Sequence, residues 1–201
     1  MIRGYYFITD SNLSKKGIVS DVKSAVAAKT SVIQYREKIS ATRQMIEQAT
    51  ELKKICKDSK LIINNRLDVA IGSGADGIHI GSDDVPYEDA RRTLGRGKII
   101  GVTVHNLDEA LDAESRGADY LGVSPIFSTT TKQDAGLPCG VGLIREIKEK
   151  VKIPIVAIGG ITLDNAREVL DAGADALCSI SAVVTKDDVK MEIEKFQELF
   201  V

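Results

Sequence analysis

The chain has 201 residues, enough for one sizeable hydrophobic core and short for two, and its 43% hydrophobic and 28% charged residues are the balance of an ordinary soluble globular domain. A formal net charge of −2 leaves no bulk basic surface, which argues against nucleic acid and anionic membrane as general partners, so any anion must be held locally. Three cysteines, Cys56, Cys139 and Cys178, stand far apart without a CxxC pair and give neither a disulfide framework nor a zinc site. The opening M-I-R-G-Y-Y-F-I-T-D lacks the basic and long apolar regions of a signal peptide, and no apolar run reaches membrane-spanning length, so a cytoplasmic protein is expected.

Short apolar runs alternate with amphipathic stretches along the whole chain. Strands are predicted at residues 5–9, 31–36, 61–63, 77–80, 99–103, 120–123, 155–158 and 176–180. Between them, residues 42–57 set Met45, Ile46, Ala49, Leu52, Ile55 and Cys56 on one helical face, and residues 107–115, 141–150, 163–172 and 187–200 follow the same spacing. Thr162 or Asp164 is expected to cap the helix at 163–172, with Gly173 just past its end, where a left-handed residue is wanted.

A Gly-Ala-Asp element recurs at Gly74-Ala75-Asp76, Gly117-Ala118-Asp119 and Gly173-Ala174-Asp175, each time between a helix and an apolar strand. Near-regular βα units without a low-complexity linker predict a parallel sheet, and eight of them in one chain predict closure into a single compact (β/α)8 TIM barrel spanning residues 1–201. An open doubly wound sheet is the alternative. It would carry a glycine fingerprint after its first strand, where this chain has Thr9-Asp10-Ser11-Asn12-Leu13.

A barrel of this kind works at the C-terminal ends of its strands, so the polar residues there are the candidate site. The second strand ends Gln34-Tyr35-Arg36-Glu37-Lys38; alternation puts Gln34, Arg36 and Lys38 on one side and Tyr35 and Glu37 on the other, and two cations projecting together call for an anion. The third ends Asn64-Asn65 and the fourth His79-Ile80-Gly81-Ser82-Asp83-Asp84, oxygen donors of the kind a magnesium ion shared with a diphosphate takes, though an Asp-Asp pair before Val85-Pro86 is more often a helix cap. The fifth ends Thr103-Val104-His105; neither His79 nor His105 has an evident carboxylate partner in sequence, and both read as structural rather than catalytic.

After the sixth strand, Thr129, Thr130 and Thr131 directly precede Lys132, a loop rich in donors and suited to phosphate oxygens. Gly159-Gly160 after the seventh strand and Ile180-Ser181 after the eighth leave backbone N–H groups where such barrels hold a phosphate monoester. Two anion sites imply two phosphorylated substrates, or one substrate with two phosphate ends.

Gln34 to Lys38, Ile63-Asn64, His79-Ile80-Gly81, Asp84, Ile126-Phe127 with Thr129 to Lys132, Ala157 to Ile161 and Ile180-Ser181-Ala182, in this order, resemble thiamine phosphate synthase over essentially the whole chain. The resemblance implies a TIM barrel in thiamine biosynthesis, a transferase that joins hydroxymethylpyrimidine diphosphate to hydroxyethylthiazole phosphate and releases pyrophosphate. By motif, Gln34, Tyr35, Arg36, Glu37, Lys38, Asn64, Thr103 (serine in much of the family) and Lys132 hold the pyrimidine diphosphate. Thr129, Thr130, Thr131, Gly160, Ile180 and Ser181 hold the thiazole phosphate, and Asp84 binds one Mg²⁺. Arg36, Lys38 and Lys132 carry the catalytic charge; nucleic acid and membrane are not partners, and assembly as a homo-oligomer is compatible with the pattern.

One departure stands out. The family usually has Asn-Asp after the third strand, the aspartate being a magnesium ligand, whereas this chain has Asn64-Asn65, one negative charge fewer. Two other functions fit the same scaffold. A thiazole tautomerase would bind only the thiazole phosphate and would not need Arg36, Lys38 and Lys132; a non-catalytic phosphate-binding barrel finds its one hint in Asn65.

Overall fold

Strands that are apolar at successive positions can be buried on both faces, and this is how the chain uses them. The computed structural model describes residues 2–131 and 136–200. Eight parallel strands, β1 (Gly4–Ile8), β2 (Val32–Tyr35), β3 (Lys60–Asn64), β4 (Gly77–Ile80), β5 (Ile99–Val104), β6 (Tyr120–Val123), β7 (Ile155–Ile158) and β8 (Ala176–Cys178), close into a barrel in sequence order, with β1 paired to β8. The expectation of a closed (β/α)8 barrel holds, and the open sheet is excluded.

The period-two alternation divides the core into two layers. Along β1, Tyr5 and Phe7 face outward into the layer between sheet and helices, while Tyr6 and Ile8 face inward with Val32, Ile62, Tyr120, Val156, Ala176 and Cys178. The outer layer is closed by α1 (Ile18–Ala27), α2 (Thr42–Ile55), α3 (Leu67–Ser73), α4 (Tyr87–Leu94), α5 (Leu107–Arg116), α6 (Gly140–Lys150), α7 (Ala166–Asp171), α8 (Ser181–Val184) and α9 (Val189–Gln197), the last running into a 3-10 turn at Glu198–Phe200. From α2, Met45, Ala49 and Leu52 go into this layer, each fully buried Leu or Met contributing roughly 1.5–3 kcal/mol. No helix of the described residues is long and apolar enough to cross a membrane.

Several boundaries move from their predicted places. The apolar spacing predicts no helix at α1, α3, α4 or α8; α3, α4 and α8 have only seven, eight and four residues, too short for the periodicity to stand out. The helix predicted at 163–172 begins only at Ala166, and neither Thr162 nor Asp164 caps it: the Asn165 carboxamide oxygen accepts the Thr162 N–H at 2.8 Å and folds the preceding residues into a turn. Strand β8 stops at Cys178 because Ile180 already serves as the N-cap of α8. Gly173 follows α7 with φ 106, as its position predicts.

The Gly-Ala-Asp elements form three like clasps on the N-terminal rim. Each glycine has positive φ, and each aspartate carboxylate accepts the N–H at the start of the preceding strand: Asp76 from Leu61 at 2.8 Å, Asp119 from Ile100 at 2.7 Å and Asp175 from Ile155 at 2.9 Å. Each carboxylate also meets a cation on the helix leading into that preceding strand, Lys53 of α2, Arg91 of α4 and Lys148 of α6. The triplets that marked αβ junctions in the sequence thus tie β3 to β4, β5 to β6 and β7 to β8.

Candidate active site

The opposite rim carries a cavity of about 510 Å³, into which the strand ends deliver their polar residues. Gln34, Arg36 and Lys38 enter from β2, Asn64 and Asn65 from β3, Asp84 from the loop after β4 and Thr103 from β5; Thr129, Thr130 and Thr131 come from the loop after β6, Gly160 from β7 and Ile180 and Ser181 from β8. The cation set and the threonine, glycine and serine set therefore open into one cavity from different arcs of the ring.

Two residues of the candidate set do not line it. Tyr35 alternates outward, is fully buried and donates its hydroxyl to the Gln48 carboxamide oxygen on α2 at 2.8 Å. Glu37 turns into its own loop, where one carboxylate oxygen accepts the N–H groups of Lys38 and Ile39, both at 2.8 Å. Burial would raise the Glu37 carboxyl, but these N–H groups and the Ser11 hydroxyl outweigh it and leave its pKa lowered, so it shapes the turn that carries Lys38. Lys132, the third cation singled out from the sequence, lies outside the described residues.

The anion that Arg36 calls for is partly the protein's own. Asp10, just beyond β1 and 4% exposed, holds the guanidinium through Arg36 Nη1 at 2.6 Å, while its other oxygen accepts the N–H groups of Asn12 and Leu13 at 3.1 and 3.2 Å. Thr9 Oγ1 accepts the Arg36 N–H at 2.9 Å, which joins the two strand ends. Asp10 was missed in the sequence because no spacing rule links the ends of strands 26 residues apart. The pair leaves Arg36 further N–H donors in a fixed fork for a bound anion.

On the other side the loop after β6 is laid against the end of β7. Ile126 N–H donates to Ile158 O at 2.9 Å and Phe127 N–H to Gly159 O at 3.0 Å. This close approach needs glycine: Gly159 and Gly160 have φ 103 and 63, and a Cβ on Gly160 would stand 2.5 Å from Ser128 O. Asn165 Nδ2 donates to Gly160 O at 3.0 Å, and Thr131 N–H to Thr129 Oγ1 at 3.2 Å. A small-residue pocket with threonine donors above it suits a phosphate.

Asp84 does not cap α4, whose N-cap is Pro86; one of its oxygens accepts the Gly81 N–H at 2.7 Å and fixes the loop. Its other oxygen and the Asn65 carboxamide, on a residue with φ 64, are hard donors at the same cavity. Among the described residues no group of three or more His, Cys, Asp or Glu could hold a metal ion. The donor set therefore fits a magnesium ion that takes few protein ligands and completes its shell with water and phosphate oxygens, and not a self-sufficient protein cage. Cys178 lines the cavity, but burial pushes its thiol far above the ordinary range, so it is no thiolate nucleophile.

Comparison with known proteins agrees over the whole barrel. The family model described as thiamine monophosphate synthase matches residues 5–183. The thiamine-phosphate synthase of Methanosarcina mazei is 54% identical over 196 residues, covering 97% of this chain and 82% of that protein. That of Chloroflexus aurantiacus is 48% identical over 197 residues, covering 96% and 91%. The structure of a thiamine phosphate pyrophosphorylase from Pyrococcus furiosus superposes with a TM-score of 0.90 at 41% identity, covering 98% of this chain and 94% of that one.

Proposed function

Because the chain belongs to the thiamine monophosphate synthase family, transferases that release pyrophosphate, we propose that its single cavity holds both partners of that reaction, hydroxymethylpyrimidine diphosphate toward β2 to β5 and hydroxyethylthiazole phosphate toward β6 to β8. The observation that carries this assignment is the opening of the Arg36 and Lys38 set and the Thr129 to Thr131, Gly160 and Ser181 set into one space.

The reaction breaks the bond between the pyrimidine methylene carbon and the diphosphate oxygen, which keeps the electron pair, and the thiazole nitrogen lone pair forms the new C–N bond. The electron-rich aminopyrimidine stabilises the methylene cation between the two events, so no protein nucleophile is needed. Arg36, oriented by Asp10, together with Lys38 and Lys132, holds the departing diphosphate. Gln34, Asn64 and Thr103 position the pyrimidine, and the threonine run with Gly160, Ile180 and Ser181 fixes the thiazole by its phosphate. Holding both rings in one cavity replaces a bimolecular encounter by a local one. Asp84 and Asn65 would hold the Mg²⁺, which when bound neutralises diphosphate charge.

Incubating the protein with both substrates and Mg²⁺ should yield thiamine phosphate and pyrophosphate in equal amounts. Pyrophosphate-free proton exchange on the thiazole would instead indicate a tautomerase, and two unchanged substrates a binding protein. The missing carboxylate at position 65 gives a narrower expectation: Asn65→Asp should lower the Mg²⁺ concentration needed for half-maximal rate by several-fold, about tenfold if the added charge contributes ~1.4 kcal/mol. A Mg²⁺ titration that stays unchanged or moves upward removes residue 65 from the ligand set.

A further inference from the structure

A line of hydrogen bonds crosses the inside of the barrel from β2 to β5. Gln34 Nε2 donates to the Tyr6 hydroxyl at 2.9 Å; the Tyr6 and Tyr120 hydroxyls are 2.7 Å apart; the Tyr120 hydroxyl is 2.9 Å from His79 Nδ1; and His79 Nε2 is 2.8 Å from Thr103 Oγ1. Gln34, His79 and Thr103 line the cavity, whereas Tyr6 and Tyr120 are 1% and 0% exposed beneath it. Two strand glycines keep the space open. A Cβ on Gly101 would stand 2.4 Å from the Tyr120 hydroxyl, and one on Gly122 would stand 2.8 Å from His79 Cε1. A core of aliphatic side chains would need neither glycine, and buried polar groups are costly unless all are satisfied, so this line is a specific arrangement and not filler.

Its direction follows from the orientation of the Gln34 amide, whose Nε2 faces Tyr6, together with proton counting. Each hydroxyl has one proton to give, and burial raises both tyrosines far above the ordinary range, so both remain protonated. With Gln34 giving an N–H to Tyr6, Tyr6 gives its proton to Tyr120, Tyr120 to His79 Nδ1, and His79 Nε2–H to Thr103 Oγ1. At the two ends, the Gln34 carbonyl oxygen is offered as an acceptor and the Thr103 hydroxyl proton as a donor. We infer that Tyr6, Tyr120 and His79 are positioning residues that fix this polarity, so that the cavity selects a ring with an exocyclic amino group on one edge and an unprotonated ring nitrogen on the opposite edge. A 4-aminopyrimidine has this pattern, its amino-bearing carbon lying para to a ring nitrogen; a 4-oxo ring meets an acceptor with an acceptor at Gln34. The inference rests on the pyrimidine assignment above and deepens it.

Neither arm of the test needs catalysis. In the free protein, ¹⁵N NMR of His79 should report an unprotonated Nδ1 and a protonated Nε2, and Tyr120→Phe should shift both resonances toward a mixture of tautomers. In ligand binding, which the reactivity of the ring does not enter, Tyr120→Phe should raise the Kd for the pyrimidine diphosphate about tenfold and shrink the preference in Kd for the 4-amino over the 4-oxo compound from about a hundredfold to below about tenfold, leaving the Kd for the thiazole phosphate within about twofold. Thr103→Val removes the outer donor and the last link while leaving the links from Gln34 through Tyr6 and Tyr120 to His79 in place, and it should lose the same preference if Tyr120→Phe does not fold. A native His79 carrying its proton on Nδ1 or on both nitrogens overturns the polarity, whatever the enzyme makes. A Tyr120→Phe or Thr103→Val protein that keeps the full amino preference overturns the selection. Absence of thiamine phosphate from the native protein would count against the function, while the NMR arm would still decide the direction of the line.

Discussion

Arg36→Ala should lower turnover at saturating substrates by a hundredfold or more, the equivalent of roughly 3 kcal/mol of transition-state stabilisation lost with one oriented donor group. The same change should lower stability, because Asp10, its side chain only 6% exposed, keeps a carboxylate in place of an ion pair; breaking such a pair from one side costs about 3 kcal/mol. Asp10→Asn separates the two effects. It leaves the charge of Arg36 but loosens its fork, so turnover should fall by about tenfold with a melting temperature closer to native. Measuring kcat and thermal melting on all three proteins decides the matter, and an Arg36→Ala enzyme with near-native kcat would remove the guanidinium from the diphosphate site.

Gly160→Ala should damage the other half of the cavity. The backbone at φ 63 is already unfavourable for a side chain, by about 1–2 kcal/mol, and the added carbon would press on Ser128 O at 2.5 Å and on Phe127 Cβ at 2.7 Å. Since these atoms belong to the loop that carries Thr129 to Thr131, the loop must shift. We expect KM for the thiazole phosphate to rise by at least about tenfold, with KM for the pyrimidine diphosphate changed much less. Gly142→Ala in α6 is the control: nothing stands within 4 Å of its Cβ and both KM values should stay native. Equal rises in the two KM values for Gly160→Ala would mean that the loop serves no separate phosphate site.

What the sequence made legible was whatever repeats or alternates. The apolar runs placed all eight strands to within one or two residues, and alternation along β2 correctly separated Gln34, Arg36 and Lys38 from Tyr35 and Glu37. What it hid was pairing across the ring. Asp10 stands in the stretch after the first strand with nothing in sequence to mark it, and His79 reads as a structural histidine with no evident carboxylate partner, because Arg36, Tyr120 and Thr103 are brought near them only by closure. A signal for the buried line was present in Gly101 and Gly122, glycines inside strand runs, where a close approach by another group is the usual reason. Tyr35 and Glu37 came into the candidate set with the Gln34 to Lys38 motif, and their side chains in fact secure α2 and the loop beneath the site.

The Asp76 clasp gives the molecule an acid-sensitive seam remote from its catalytic mouth. At Asp76, burial would raise the carboxyl, but the Lys53 ammonium and the Leu61 N–H prevail and leave its pKa lowered. A depressed folded value means that this carboxylate stabilises the fold above its unfolded pKa, and that the contribution drains away as pH falls through the folded one. Acidification to below the ordinary carboxylate range therefore begins to slacken the seam between β3 and β4 from underneath.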